Sequence, residues 1–172
     1  MSRVNRLTAA LGVLAFCGAL ASPAAAQTTA SASIQAIAFV QGVAPITAAG
    51  VNDLNFGTVF SGATTGLTNV AAQAGRFDIT GEPTAAVSVS FALPLTLAGP
   101  GGTIPIAFAN TDGLEWGPFP AAFTTFDPNV PYLTALDGSG VLTIGIRGAV
   151  SPAAATTTGS YTGTITMTVS YL

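Results

Sequence analysis

The sequence has no histidine and no lysine, and its single cysteine is Cys17. Nucleophilic triads need a base beside a serine or cysteine, so these absences leave no Ser–His, Cys–His or Ser–Lys arrangement to assemble. Lysine–asparagine isopeptide staples are excluded for the same reason. Transition-metal centres built on imidazole or thiolate lack their ligands. Charge of either sign is scarce, at 6% of residues, against about a quarter in ordinary soluble domains. After residue 26 the only bases are Arg76 and Arg147, facing seven acids. A basic footprint for nucleic acid is therefore missing, and no nucleic-acid partner is expected. Such a surface of Thr, Ser, Ala, Gly and Gln is weakly protected against association and suits a subunit packed against copies of itself.

What is present begins with a short basic start, Arg3 and Arg6, followed by an apolar run over residues 7–20. Pro23 and Ala24-Ala25-Ala26 then give a small-residue cleavage site before Gln27. This order predicts a secretory signal peptide over residues 1–26, and the run is too short to span a bilayer. Processing as a lipoprotein at Cys17 is the rival, and Phe16 is the wrong residue before that cysteine. The expected product is one domain over residues 27–172, secreted to the periplasm or cell surface and with no stable membrane insertion. Without cysteine beyond residue 17, export here brings no disulfide framework.

Period-two stretches recur, and no segment after residue 26 keeps a helical apolar period over eleven residues. Strands are predicted over residues 54–60, 76–80, 87–92, 104–108 and 141–147, with Pro105 placing its run at an edge or a strand start. The last stretch, 159–172, is the most regular. Tyr161, Ile165, Met167, Val169 and Tyr171 alternate with Thr162, Thr164, Thr166, Thr168 and Ser170, predicting a closing strand with the apolar row inward. Turn signals punctuate these runs, including Thr80-Gly81-Glu82-Pro83 and Asp137-Gly138-Ser139-Gly140. The fold class this predicts is an all-β antiparallel sandwich. Residues 99–140 depart from the rhythm and read as one or two strands with long decorated loops. Their rings, among them Phe108, Trp116, Phe119, Phe123, Phe126 and Tyr132, are expected to cap one end of the sandwich.

Carboxylates are the remaining chemistry. Asn110, Asp112 and Glu115 could supply oxygen ligands to calcium, although the full calcium-loop spacing is missing. Solvated turn acids are the plainer reading. A paired-carboxylate glycosidase is the corresponding enzyme hypothesis. No catalytic or cofactor-binding residue is assigned from the sequence, and an enzyme is not expected. An aromatic loop over residues 108–132 also allows a monomeric glycan-binding or adhesive module using Trp116 and Phe119.

Three motifs stand in order: Asp53-Leu54-Asn55-Phe56-Gly57, then Phe77-Asp78-Ile79-Thr80-Gly81-Glu82-Pro83, then Tyr161-Thr162-Gly163-Thr164 running into Val169-Ser170-Tyr171. With them the chain resembles an uncharacterised family of secreted bacterial domains rich in Ala, Thr and Gly. That family is similar to the spore coat protein U domain and to chaperone–usher pilin subunits. The resemblance implies an immunoglobulin-like, pilin-like sandwich and a structural, non-catalytic role at the cell surface. It makes Leu54, Phe56, Gly57, Phe77, Ile79, Gly81, Pro83, Tyr161, Gly163, Val169 and Tyr171 structural positions. The chain departs from spore coat U relatives in lacking cysteines after the signal, and from the family in a longer, more aromatic stretch over 111–131. Pilin-like relatives also imply strand addition between copies or related subunits. The candidate donor is 27–40, whose Ala30, Ala32, Ile34, Ala36 and Ala38 share one face. The competing expectation, which we favour, is that 31–40 is the domain's own first strand.

Overall fold

The computed structural model describes residues 31–39, 42–117, 120 and 122–172. The signal-peptide expectation for 1–26, Val40 and Phe119 lie outside the described residues. The chain divides into two units, Met1–Val40 and Gln41–Leu172. In the first unit, residues 31–39 form neither helix nor strand and are exposed throughout. The expected first strand over 31–40 is therefore not formed by its described residues. The physical reason lies in its composition: of the face formed by Ala32, Ile34, Ala36 and Ala38, only Ile34 is larger than alanine, which offers a sheet little apolar area.

The second unit is an antiparallel β-sandwich. One layer holds five strands in the order β1 (Thr47–Asn52), β3 (Gly75–Thr80), β10 (Val141–Ile146), β7 (Gly113–Trp116) and β8 (Phe123–Phe126). Opposite it lie β12 (Thr166–Tyr171), β4 (Ala86–Ala92) and β9 (Tyr132–Ala135). A further sheet runs β2 (Thr65–Gly66), β11 (Ala149–Val150), β6 (Gly102–Ala107) and β5 (Thr96–Gly99). Two strand runs join these sheets. β10 passes into β11 and β4 passes into β5, each changing sheet across a short break.

Register explains which residues are inside. Pairing of Leu142 with Ile79 and of Ile144 with Phe77 puts these four on one face. There Ile79, Leu142 and Ile144 meet Val87, Val89, Phe126 and Leu136, all buried, to form the main core. Phe91 links the layers, its ring 6.1 Å from Phe77 and 6.4 Å from Phe126. The opposite face of the five-stranded sheet carries its own apolar cluster. Leu114 pairs with Gly145 and Trp116 with Thr143, so Leu114 and Trp116 point outward. They are covered by Ala74, Leu67 and Val70. The cover is a one-turn helix, α1 (Val70–Gln73), whose N-cap Asn69 accepts from the Ala72 amide, the usual service of an Asn at that position. A third cluster, Ile104, Ile106 and Val150, collects Leu54, Phe56, Val59, Leu97, Phe108 and Tyr161 at the other end.

Several local expectations change. Residues 54–60 form no strand, because Gly57 adopts φ +67° and its amide is held by the Asn55 side chain at 2.8 Å. That turn breaks the alternation while Leu54 and Phe56 still reach the third cluster. β6 is an interior strand rather than an edge. Pro105 is tolerated there because β11 ends beside it: Ser151 donates to the Pro105 carbonyl at 3.1 Å, and no further strand residue asks for a proline N–H. Residues 99–140 hold β6 to β9, four strands where one or two were expected. Glycine-rich turns had masked strands of only four residues.

Candidate functional site: the free edge of the closing strand

The two sides of the sandwich differ. At one side, β8 and β9 are stitched together. The Phe126 and Tyr132 rings stack with centroids 3.9 Å apart. Glu115, inward on β7 opposite Ile144, accepts from the Tyr132 hydroxyl at 2.8 Å and from Thr134 Oγ1 at 2.9 Å. The aromatic-rich stretch therefore closes this flank of the sandwich. Burial, reinforced by the Glu115 hydrogen bond and charge, holds the Tyr132 pKa above the ordinary 10.0. Ionisation is thus disfavoured in the folded state. The corresponding stability is intact below about pH 10 and is lost as pH rises through the folded value. Tyr132→Phe is expected to flatten the alkaline fall in urea midpoint measured above about pH 10, at the cost of about 1 kcal/mol for one hydrogen bond.

At the other side, β1 and β12 are the terminal strands of their sheets. Among the described residues β12 pairs with β4 alone, from Thr166 opposite Ala92 to Tyr171 opposite Val87. The same chain pairs further down with β5 through Ala98 and Thr162, whose amides and carbonyls bond reciprocally at 2.8 and 2.9 Å. The closing stretch thus runs along β4 and β5 as one edge.

Hydrogen-bond alternation then sorts its backbone groups. The Leu172 amide donates to the Ala86 carbonyl, which fixes residues 172, 170, 168 and 166 as those turned toward β4. Reciprocal bonding at Thr162 continues that parity. The odd residues Tyr161, Gly163, Ile165, Met167, Val169 and Tyr171 therefore direct their amides and carbonyls to the open side. These same positions carry the inward apolar side chains. Tyr161, Ile165, Met167, Val169 and Tyr171 are all half-buried, while Thr162, Thr164, Thr166, Thr168 and Ser170 are exposed. The expected inward row and outward hydroxyl row are both present. No charge, proline or bulge protects this edge, in contrast to the devices by which edge strands are ordinarily blunted.

The upper end of the edge is clasped. The Tyr171 hydroxyl donates to the Ala44 carbonyl and accepts from the Glu82 amide, both at 2.7 Å. Glu82 Oε2 accepts from the Ala44 amide at 2.9 Å. Gly81 is required here, since a Cβ would meet the Tyr171 hydroxyl. Gly163 serves the lower end similarly, where a Cβ would stand 2.8 Å from Leu97 Cδ2. Of the remaining motif positions, Ile79 is fully buried, Val169 borders the main core, Phe77 packs on the Phe91 ring, and Pro83 lies exposed in the turn after Glu82. Nothing in the sequence marked Glu82 as more than a turn acid, because its partner, Ala44, is 38 residues away and contributes only backbone.

The calcium candidates are not gathered into one ligand set. Asp112 is bonded to the Arg147 guanidinium at 3.0 Å and accepts from the Ala109 amide at 2.7 Å. Glu115 faces β9, and Asn110 is exposed. Among the described residues no group of three or more His, Cys, Asp or Glu is arranged to hold a metal. Trp116 is 3% exposed and packs edge-on to Phe123 at 5.9 Å, so it offers no open ring face. A cleft of about 420 Å³ lies beside it, lined by Glu115, Asp137, Leu142 and Thr143 among others. Asp137 there caps its own turn, accepting from the Ser139 and Val141 amides at 2.8 Å. Among the described residues no helix is long and apolar enough to cross a membrane.

The fold and this edge define the chain as an antiparallel β-sandwich whose closing strand is paired, among the described residues, on one side alone. No protein-family model matches it, and no curated protein matches it.

Proposed function

We propose that this chain is an exported, non-catalytic structural subunit of the bacterial cell surface, pilin-like, which assembles with copies of itself by strand addition into fibres or a matrix layer. The observation that carries the reading is the coincidence, at Tyr161 to Tyr171, of free backbone groups and half-buried apolar side chains on the same residues. An added strand would satisfy the first and cover the second in one step. The segment 31–39 supplies the matching donor. It is in no strand, and Ile34, Ile37 and Phe39 are 96%, 86% and 88% exposed. The scarcity of charge removes most like-charge repulsion between identical copies.

Removal of residues 27–41 tests the donor. The chain starting at Gln27 is expected to form concentration-dependent oligomers in sedimentation velocity, and the chain starting at Gly42 to stay monomeric. Monomers in both at high concentration would refute assembly.

A further inference from the structure

We infer that residues 42–46 form a displaceable strap over the Tyr171 end of the β12 edge, locked by the Tyr171 hydroxyl and the Glu82 carboxylate. The regulatory part of this inference rests on the strand-addition reading above. Ala44 has both of its backbone groups taken by side chains: its amide by Glu82 Oε2 and its carbonyl by Tyr171 Oη. Neither bond belongs to a sheet ladder, and β1 begins only at Thr47. The strap can therefore leave without unzipping any strand. Its remaining anchor is Ile46, half-buried against the main core, while Val43 stands 62% exposed.

Position gives the strap its consequence. Tyr171 is the last member of the inward row, and its hydroxyl is shared between Ala44 and the Glu82 amide. A strand laid along the whole of β12 would reach the residue whose hydroxyl holds Ala44. With the clasp shut, the Tyr171 side chain is fixed between the Ala44 carbonyl and the Glu82 amide. With it open, Tyr171 is free to adjust to an added strand. Thr84, at φ +60°, and the Gly81 amide bonded to the Gly140 carbonyl at 2.9 Å hold the Glu82 turn in shape. The locking groups thus sit on a fixed base and the strap is the moving part.

The test compares wild type, Tyr171→Phe, which keeps the ring, and Glu82→Ala. Amide exchange at Ala44 and Ile46 is expected to accelerate about tenfold in each variant, the scale of losing one local hydrogen bond. A labelled synthetic peptide of residues 31–39, SASIQAIAF, is expected to be captured several-fold faster by both variants than by wild type. Glu82→Gln keeps an acceptor and should restore slow exchange. Unchanged exchange in both variants overturns the lock. Faster exchange with equal capture rates overturns its control of the edge. Capture by none of the proteins, with exchange accelerated, overturns strand addition itself and the regulatory role with it, while the lock stands.

Discussion

Gly145→Ala is expected to cost about 3 kcal/mol, the upper end for overpacking a filled site and a large part of the margin of about 5–15 kcal/mol that holds a typical domain folded. Gly145 lies on β10 opposite Leu114, and a Cβ there would collide with the six-membered ring of Trp116 and stand 3.3 Å from the Gly75 carbonyl. The strand cannot retreat, because its neighbours Ile144 and Ile146 are sealed in the interior on the other face. Trp116 must therefore give way, and with it the contacts it makes beside Leu114 and Ala74. The thermal midpoint should fall by about 10 °C, with a red shift in the emission of the single tryptophan. Gly117→Ala, where a Cβ meets nothing within 4 Å, is the control and should leave both unchanged. A Gly145→Ala protein with wild-type midpoint and emission would disprove the packing account of the outer cluster.

The second large effect concerns assembly, and it rests on neighbouring residues of one strand. Val169 directs its amide to the open side, so Val169→Pro removes a donor that β4 does not use. Proline is tolerated where the N–H side of an edge strand faces solvent. The fold should survive with a loss of about 1–2 kcal/mol from the altered φ and side chain, yet oligomers should vanish or need at least about tenfold more protein, as for the loss of one net hydrogen bond with local clash. Thr168→Pro inverts this outcome. The Thr168 amide faces β4 opposite Ser90, so its loss should cost about 3 kcal/mol and fold stability should fail first. Circular dichroism melts and sedimentation on the pair separate the two effects. Oligomerisation of folded Val169→Pro at the wild-type concentration would rule out this edge as the acceptor.

Much of the fold was legible because it depends on short-range alternation. The runs at 76–80, 87–92 and 141–147 are β3, β4 and β10 almost to the residue, since each has one face in the core and a slip by one position would expose Ile79, Val87 or Ile144 to water. Leu54 and Phe56 misled because apolar residues two apart also suit a loop that dips its side chains into a cluster, as this one does around the Gly57 turn. Trp116 looked like a loop aromatic. Its burial depends on Gly145 in a distant strand and on α1 above it, and neither is encoded near Trp116.

The alternation of residues 161–171 thus determined locally which side chains face inward and which hydroxyls face out, because a strand's period of two is a property of the chain itself. Whether that strand would be central or terminal could not be read from it, since an identical pattern serves either position. The tertiary structure decided this by placing β4 and β5 on one side of it and, among the described residues, no strand on the other. It also decided that Tyr171 ends the row in the clasp on Ala44, a bond between a hydroxyl and a backbone carbonyl 127 residues apart that no local pattern encodes.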